Sequence, residues 1–232
     1  IEALRAGAWD YLPKPFSATH LQVLIGRASH AVMVTRETHD LRAQLMAQSG
    51  MGEKFHMIGV SPSFRKAVEL ARKVAGTDAS VLISGESGTG KELIAQFIHH
   101  HSRRASRQLV PINAAALPEP LLESEMFGHR KGAFTGADRD KPGLLETANG
   151  GTLFLDELTE MPMSLQAKLL RVIQDGVVRR VGSEHADAVV DVRFVSAMNR
   201  DPEEAVKQGL LREDLYYRLR VVPIKLPPLR KR

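Results

Sequence analysis

The clearest chemistry in the chain is the run GESGTGKE at residues 85–92. Gly85, Gly88 and Gly90 let the backbone curl so that successive N–H groups point at phosphate oxygens, with Glu86, Ser87 and Thr89 between them. Lys91 would reach the outer phosphates of a nucleotide, and the helix it opens would aim its N-terminus at the same anion. The spacing fits G-x-x-x-x-G-K, but Glu92 stands where a Ser or Thr hydroxyl usually meets Mg²⁺. A magnesium ion here must lean on water and on another carboxylate.

GGTLFLDE at 150–157 offers one. An apolar run leads straight into Asp156 and Glu157, and ligands of open α/β sheets bind where such strands end. Asp156 would hold Mg²⁺, directly or through water, and Glu157 would polarise the attacking water. The plainer reading, two surface carboxylates capping the next helix, is displaced by the phosphate loop beside them. Two asparagines end further strands. Asn199 either senses the terminal phosphate, holds the water, or is a turn residue. Asn113 is placed to hydrogen-bond Glu157. Arg212 and Arg218 in LREDLYYRLR are either solvated helix charges or fingers donated to a neighbouring subunit's nucleotide.

These residues need a scaffold, and the pattern supplies one. SVLISG, LVPI, GTLFLD, VRFVSA and VVPIKL are short apolar runs, as strands buried on both faces read. Between them lie helical patterns such as KELIAQFIHHH, EPLLESEMF and SLQAKLLRVIQDG. Before them SPSFRKAVELARKVA has Ser61 as N-cap, Pro62 at the first helical position, and Phe64, Val68, Ala71 and Val74 on one face. The alternation predicts an α/β fold with a parallel sheet flanked by helices. The first 30 residues read as the end of another unit, with a short strand at Tyr11-Leu12 and a helix capped by Ser17. Residues 31–55 read as a polar linker helix with a thin stripe of Leu41, Leu45 and Met46.

Composition narrows the rest. The chain has 232 residues, no cysteine and a net charge of +5. Disulfides and thiolate metal sites are excluded. The mild basic excess permits nucleic-acid contact without a dense basic block to demand it. No apolar run is long enough to span a membrane, and a cytoplasmic location is expected. The opening residues carry no signal-peptide pattern and no initiating methionine, so the chain reads as a fragment.

One stretch remains, GHRKGAFTGADRD at 128–140. It offers Phe134 on a small loop between glycines. Together with GESGTGKELIAQFIHHHSRRA, LLESEMFGHRKGAFTGA, GTLFLDE, LLRVIQDGVVRRVGS and LREDLYYRLRVVPIKLPPLRKR, it resembles the central ATPase domain of bacterial sigma-54-dependent transcriptional activators, members of the AAA+ superfamily. The resemblance covers residues 56–232. It implies an AAA+ P-loop NTPase core that binds ATP and Mg²⁺ and works as a hexameric or heptameric ring. It implies that Gly132, Ala133, Phe134, Thr135, Gly136 and Ala137 form the loop that touches sigma-54 in the polymerase holoenzyme, raised or folded with nucleotide state. The alternative is that Phe134 packs into its own domain. GAWDYLPKPF resembles the tail of a response-regulator receiver domain, with Lys14 matching its phosphate-contacting lysine. That implies a sensor kinase as partner. Enhancer DNA would be met through a helix-turn-helix that, like the helical lid, is expected beyond this chain.

The sequence departs from the family pattern at three places. Arg130 stands where the loop stem commonly has Glu. Met198 replaces the Thr of the sensor strand, and Asn113 is followed by Ala114 rather than Cys. Glu92 is ordinary for the family.

Overall fold

The computed structural model describes residue 57 and residues 59–232, which lie in one compact unit, Phe55–Arg232. The expected receiver tail at 1–30 and linker helix at 31–55 lie outside the described residues. The first helix, α1 (Pro62–Ala75), begins as its sequence dictates: the Ser61 hydroxyl accepts the Phe64 N–H at 3.3 Å and Pro62 opens the first turn. Phe64, Ala67, Ala71 and Val74 are buried along one face, and Val68 is half-buried beside them.

The chain then runs through β1 (Val81–Ser84), α2 (Lys91–His100), β2 (Leu109–Asn113), α3 (Glu119–Phe127), β3 (Gly128–His129), β4 (Lys141–Pro142) and α4 (Leu144–Thr147). It continues through β5 (Thr152–Asp156), a 3-10 turn at Leu158–Glu160, α5 (Met163–Asp175), β6 (Val177–Val178), β7 (Ala188–Val189) and β8 (Arg193–Met198). It closes with α6 (Pro202–Lys207), α7 (Glu213–Leu219) and β9 (Val222–Lys225).

Five strands form one parallel sheet in the order β2-β5-β8-β1-β9. They are the five apolar runs: β1, β5 and β8 lie inside the sheet and are buried at successive positions, while the edge strands β2 and β9 carry exposed Pro111 and Pro223. Val81, Ile83, Phe154, Val195 and Ala197 face α1 and α2. Leu82, Leu153, Leu155, Phe194 and Met198 face the opposite core with α3, α5 and α7. Two small antiparallel ladders, β3-β4 and β6-β7, stand outside the sheet. Their two-residue strands are too short for alternation to announce them.

The edge of the sheet opposite the phosphate loop is tied by Arg104. Its guanidinium bonds Asp78 at 2.9 Å, Asp191 at 2.9 and 3.1 Å, and the Gly151 and Asp191 carbonyls at 3.2 and 3.0 Å. The loops entering β1, β5 and β8 are thereby pinned by one half-buried cation.

Candidate functional site

β1 delivers residues 85–90 as a tight loop at the carboxyl edge of the sheet. Gly88 and Gly90 both take φ of +75°; a Cβ would meet nothing within 4 Å at Gly88 and only Leu93 at an ordinary 3.6 Å contact at Gly90, so conformation and not crowding requires glycine there. The Thr89 hydroxyl donates to the Glu86 carbonyl at 2.7 Å and steadies the curl. α2 starts at Lys91 with Gly90 as an uncapped N-cap, leaving its first N–H groups directed toward the loop. Lys91 is buried and its ammonium donates to the Gly85 and Glu86 carbonyls at 3.0 and 3.2 Å. Glu92, in the first turn, accepts from Gln96 at 3.2 Å.

β8 lies between β1 and β5, and β5 ends in Asp156, with Glu157 the next residue. The Asp156 Oδ1 accepts the Glu157 N–H at 2.9 Å. Glu157 is the one non-glycine residue with positive φ among those described, at 53°. Its Oε2 is buried without a hydrogen-bond partner. Burial lifts the Glu157 carboxyl above its usual range, the neighbouring Asp156 charge adds to the rise, and the Lys91 ammonium opposes it. The site therefore contains a cation above a phosphate cradle, a carboxylate at a strand end, and a strained carboxyl whose free oxygen looks for a proton donor. A water molecule is such a donor.

The asparagines behave differently from each other. Asn199 is exposed one residue beyond Met198, which pairs with Ser84 of β1, so it stands at the same edge as the loop. Asn113 pairs in register with Asp156, but its Oδ1 accepts the Ala115 N–H at 2.9 Å. The expected Asn113–Glu157 bond is thus not formed: a local turn two residues away holds the amide, and Glu157 Oε2 has no partner. Met198 and Ala114 are both buried in the core. At both positions the departure from the family pattern supplies apolar packing.

Sequence reasoning left Arg212 and Arg218 equivalent, and the fold separates them. Arg212 caps α7, is ion-paired to Asp214 at 2.7 Å, and has its backbone N–H held by Gln166 Oε1 at 2.9 Å. Arg218 lies in the last turn of α7 and has no ion pair among the described residues. It lines a cavity of about 460 Å³ with Asp78, Ser80, Asp191, Tyr217 and Val221. Those residues lead into β1, β8 and β9, so Arg218 sits at the edge opposite its own phosphate loop. β1 alone, four residues long, puts about 13 Å between the two edges.

The Phe134 loop rises from the β3-β4 ladder. Gly132 N–H closes it onto the Ala137 carbonyl at 2.8 Å, and Ala137 N–H bonds the Phe134 carbonyl at 3.0 Å. Gly132 and Gly136 have φ of 81° and 96°. Ala137 is buried while Thr135 is exposed. Phe134 is 44% exposed, its ring edge-on to His129 with centroids 5.0 Å apart. The aromatic tip is offered to solvent and rests on one histidine of its own stem.

Two arginines near the chain's end were not singled out from sequence. Arg230 forks onto Glu86 at 2.7 and 2.8 Å, and Arg232 donates to the Thr89 carbonyl and lies 4.4 Å over the Phe64 ring. Both hold the phosphate loop from outside. The basic run LRKR was visible, but nothing local indicates a partner some 140 residues earlier.

A family comparison decides what this assembly is. The sigma-54 interaction domain matches residues 57–225, the whole span that carries the loop, the strand-end carboxylates and the Phe134 hairpin. The chain belongs to the sigma-54 interaction domain family. The regulatory protein AtoC of Escherichia coli K12 is 50% identical over 232 residues, all of this chain and 50% of AtoC. NtrX from Brucella abortus, solved in complex with ATP, is 38% identical with a TM-score of 0.69, covering 100% of this chain and 50% of its own. The P-loop NTPase domain of an E. coli sigma-54 transport activator shares the fold at 20% identity and a TM-score of 0.50, covering 74% of this chain and 99% of that one. The fold is accordingly an AAA+ P-loop NTPase core. The chain spans about half the length of the curated relatives it matches.

Proposed function

We propose that the protein is an ATP-hydrolysing transcriptional activator of a two-component system, and that residues 56–232 are its motor. Hydrolysis in a hexameric or heptameric ring would remodel sigma-54 polymerase holoenzyme and promote open-complex formation. The observation that carries this reading is the meeting of Lys91, Asp156 and Glu157 at one sheet edge in a chain that also presents Phe134 on a closed loop.

Lys91 and the N–H groups of the loop would bind the phosphates, with Asn199 beside the terminal one. Glu157 would orient the attacking water through its unpartnered oxygen and take up its proton. Asp156 keeps Oδ1 for the Glu157 N–H and leaves Oδ2, a hard oxygen of the kind Mg²⁺ takes together with phosphate and water oxygens. Bound there, Mg²⁺ would neutralise charge on the phosphates. Arg218, out of reach of its own loop, is suited to complete the site of a second copy, with Arg212 at the other end of α7. Residues 132–137 would contact sigma-54.

The other assignments follow from relatives named as regulatory proteins. A sensor kinase would act through the receiver tail and enhancer DNA would bind a separate helix-turn-helix. No helix among the described residues is long and apolar enough to cross a membrane, and a cytoplasmic location fits. The natural full-length protein tests the reading. Phe134→Ala is expected to keep ATP turnover within about twofold, the range of a neutral surface change, while open-complex formation at a sigma-54 promoter is lost. Retained activation would remove the loop from its role, and absent turnover in the wild type would remove the motor.

A further inference from the structure

The 3-10 turn Leu229–Lys231, just past β9, sends arginines back to the outer side of the phosphate loop. Arg230 forks onto the Glu86 carboxylate, Nη1 to Oε2 at 2.7 Å and Nη2 to Oε1 at 2.8 Å. Arg232, the next residue after the turn, donates from Nη2 to the Thr89 carbonyl and lies 4.4 Å over the Phe64 ring of α1. The turn follows a segment that is itself fixed to β1. Leu226 N–H donates to the Ser84 carbonyl at 2.8 Å, and a Cβ on Gly85 would lie 3.1 Å from the Leu226 carbonyl oxygen.

The two contacts hold different parts of the loop. A trans peptide carries its N–H opposite its carbonyl, so a Thr89 carbonyl turned to Arg232 points the Gly90 N–H away from the turn. Glu86 begins the curl, and its own carbonyl already accepts the Thr89 hydroxyl at 2.7 Å and the Lys91 ammonium at 3.2 Å. Its carboxylate has Arg230 as its one hydrogen-bond partner among the described residues. The Arg230 fork, with Lys231 adding to it, holds that carboxyl below its usual range. Both side chains are more than half-exposed, so the pair adds little to global stability. A bidentate fork nevertheless fixes the direction of a carboxylate as well as its distance, which a single ammonium does not.

We propose that Arg230 is a positioning residue for nucleotide binding: its fork on Glu86 holds the phosphate loop in the curl that receives phosphate, and it acts through Glu86 rather than on the nucleotide. A loop held in its binding conformation does not have to be ordered when the ligand arrives, and that saving appears as affinity. The effect falls on ATP binding and not on the hydrolytic step, which Asp156 and Glu157 serve from the end of β5. It is partial, because Arg232 still holds the Thr89 carbonyl when Arg230 is gone. The inference rests on the reading of residues 85–92 as the ATP site.

Calorimetry and steady-state kinetics on the natural full-length protein test it. Arg230→Ala is expected to raise the Kd and the KM for ATP about fivefold, the upper range for an exposed pair, with kcat changed less than about twofold. Arg230→Lys keeps the charge and loses the fork, so it should weaken ATP about two- to threefold. In a Glu86→Gln background the same lysine replacement should change nothing. Equal weakening with and without the Glu86 carboxylate would mean that the arginine acts by another route, and the proposal would be overturned. Unchanged affinity in Arg230→Ala would overturn it too. Amide exchange on the nucleotide-free protein separates the positioning from the ATP reading. Arg230→Ala should speed exchange across 86–90 and leave 128–140 as in the wild type, and an unaltered loop would overturn the positioning role. A wild-type protein that bound no ATP would remove the ATP reading and leave the exchange result standing.

Discussion

The Asp156 carboxylate accepts the backbone N–H of Glu157 at 2.9 Å, and Glu157 itself is turned into the left-handed region, φ 53° and ψ 49°. The first residue thus helps hold the second in a conformation that non-glycine side chains seldom adopt. The result points one carboxyl oxygen into a buried space with no partner. Strain of this kind persists where the surrounding structure enforces it, here between a fully buried strand and a 3-10 turn.

Glu157→Gln preserves that shape and removes the charge. ATP turnover by the full-length protein should fall about 10²- to 10⁴-fold, the usual worth of a positioned general base, with ATP affinity by calorimetry unchanged. Lys91→Ala should give the opposite pattern, weakening ATP binding about a hundredfold through the loss of a charge-assisted contact. Near-normal turnover in the first variant or tight binding in the second would reverse the assignment.

Arg218 and Arg212 should separate kinetically. Arg218→Ala is expected to lower turnover by about 10³-fold, the lower range for an arginine finger, while each subunit still binds nucleotide. Mixing that variant with Lys91→Ala subunits should restore part of the activity, since one contributes an intact loop and the other an intact arginine. Arg212, already held by Asp214, should give a smaller loss. Mixed rings as inactive as their components would argue against action between subunits.

Arg104 concerns stability. Arg104→Ala would remove the ion pairs to Asp78 and Asp191 and one of the two donors to each of the Gly151 and Asp191 carbonyls, which keep the Arg193 and Gly150 N–H groups. Chemical denaturation should register a loss of about 2–3 kcal/mol, less than for a fully buried pair because both carboxylates reach solvent. An unchanged midpoint would mean water replaces the guanidinium without cost.

His99 makes the fold sensitive to mild acid. The Arg107 carbonyl can only accept, so Nε2 carries the proton in the 3.2 Å bond, and Nδ1 accepts from the Thr152 hydroxyl at 3.0 Å. Burial pushes the imidazole pKa below its ordinary value and the His100 and Arg193 charges push the same way, against the Arg107 bond. The unfolded chain then binds the proton more readily, so stability is complete above the ordinary histidine pKa and falls as pH drops through that value toward the lowered one. His99→Asn should melt lower than the wild type at pH 7.5, and the gap should narrow by pH 5.5. A constant gap across that interval would exclude the histidine as the cause.

The sequence by itself determined the five strands of the main sheet, the phosphate loop and the strand-end carboxylates. Each is a local event: an apolar run buried on both faces, glycines at left-handed positions, a lysine opening a helix, acids closing a strand. Interactions within a few residues and the demand for burial suffice to write them, whereas the GAFTGA loop was read through its family resemblance. Only the tertiary structure decided the rest. Asn113 turned to Ala115 because a backbone N–H two residues away competes for its amide. Arg212 and Arg218, six positions apart on a pattern, came to differ because one meets Asp214 and the other faces the far edge of the sheet. Arg130 found Asp187, and Arg230 found Glu86, across 57 and 144 positions. Charged side chains have no periodicity that names their partners. The pairing is fixed only when the fold brings distant loops together.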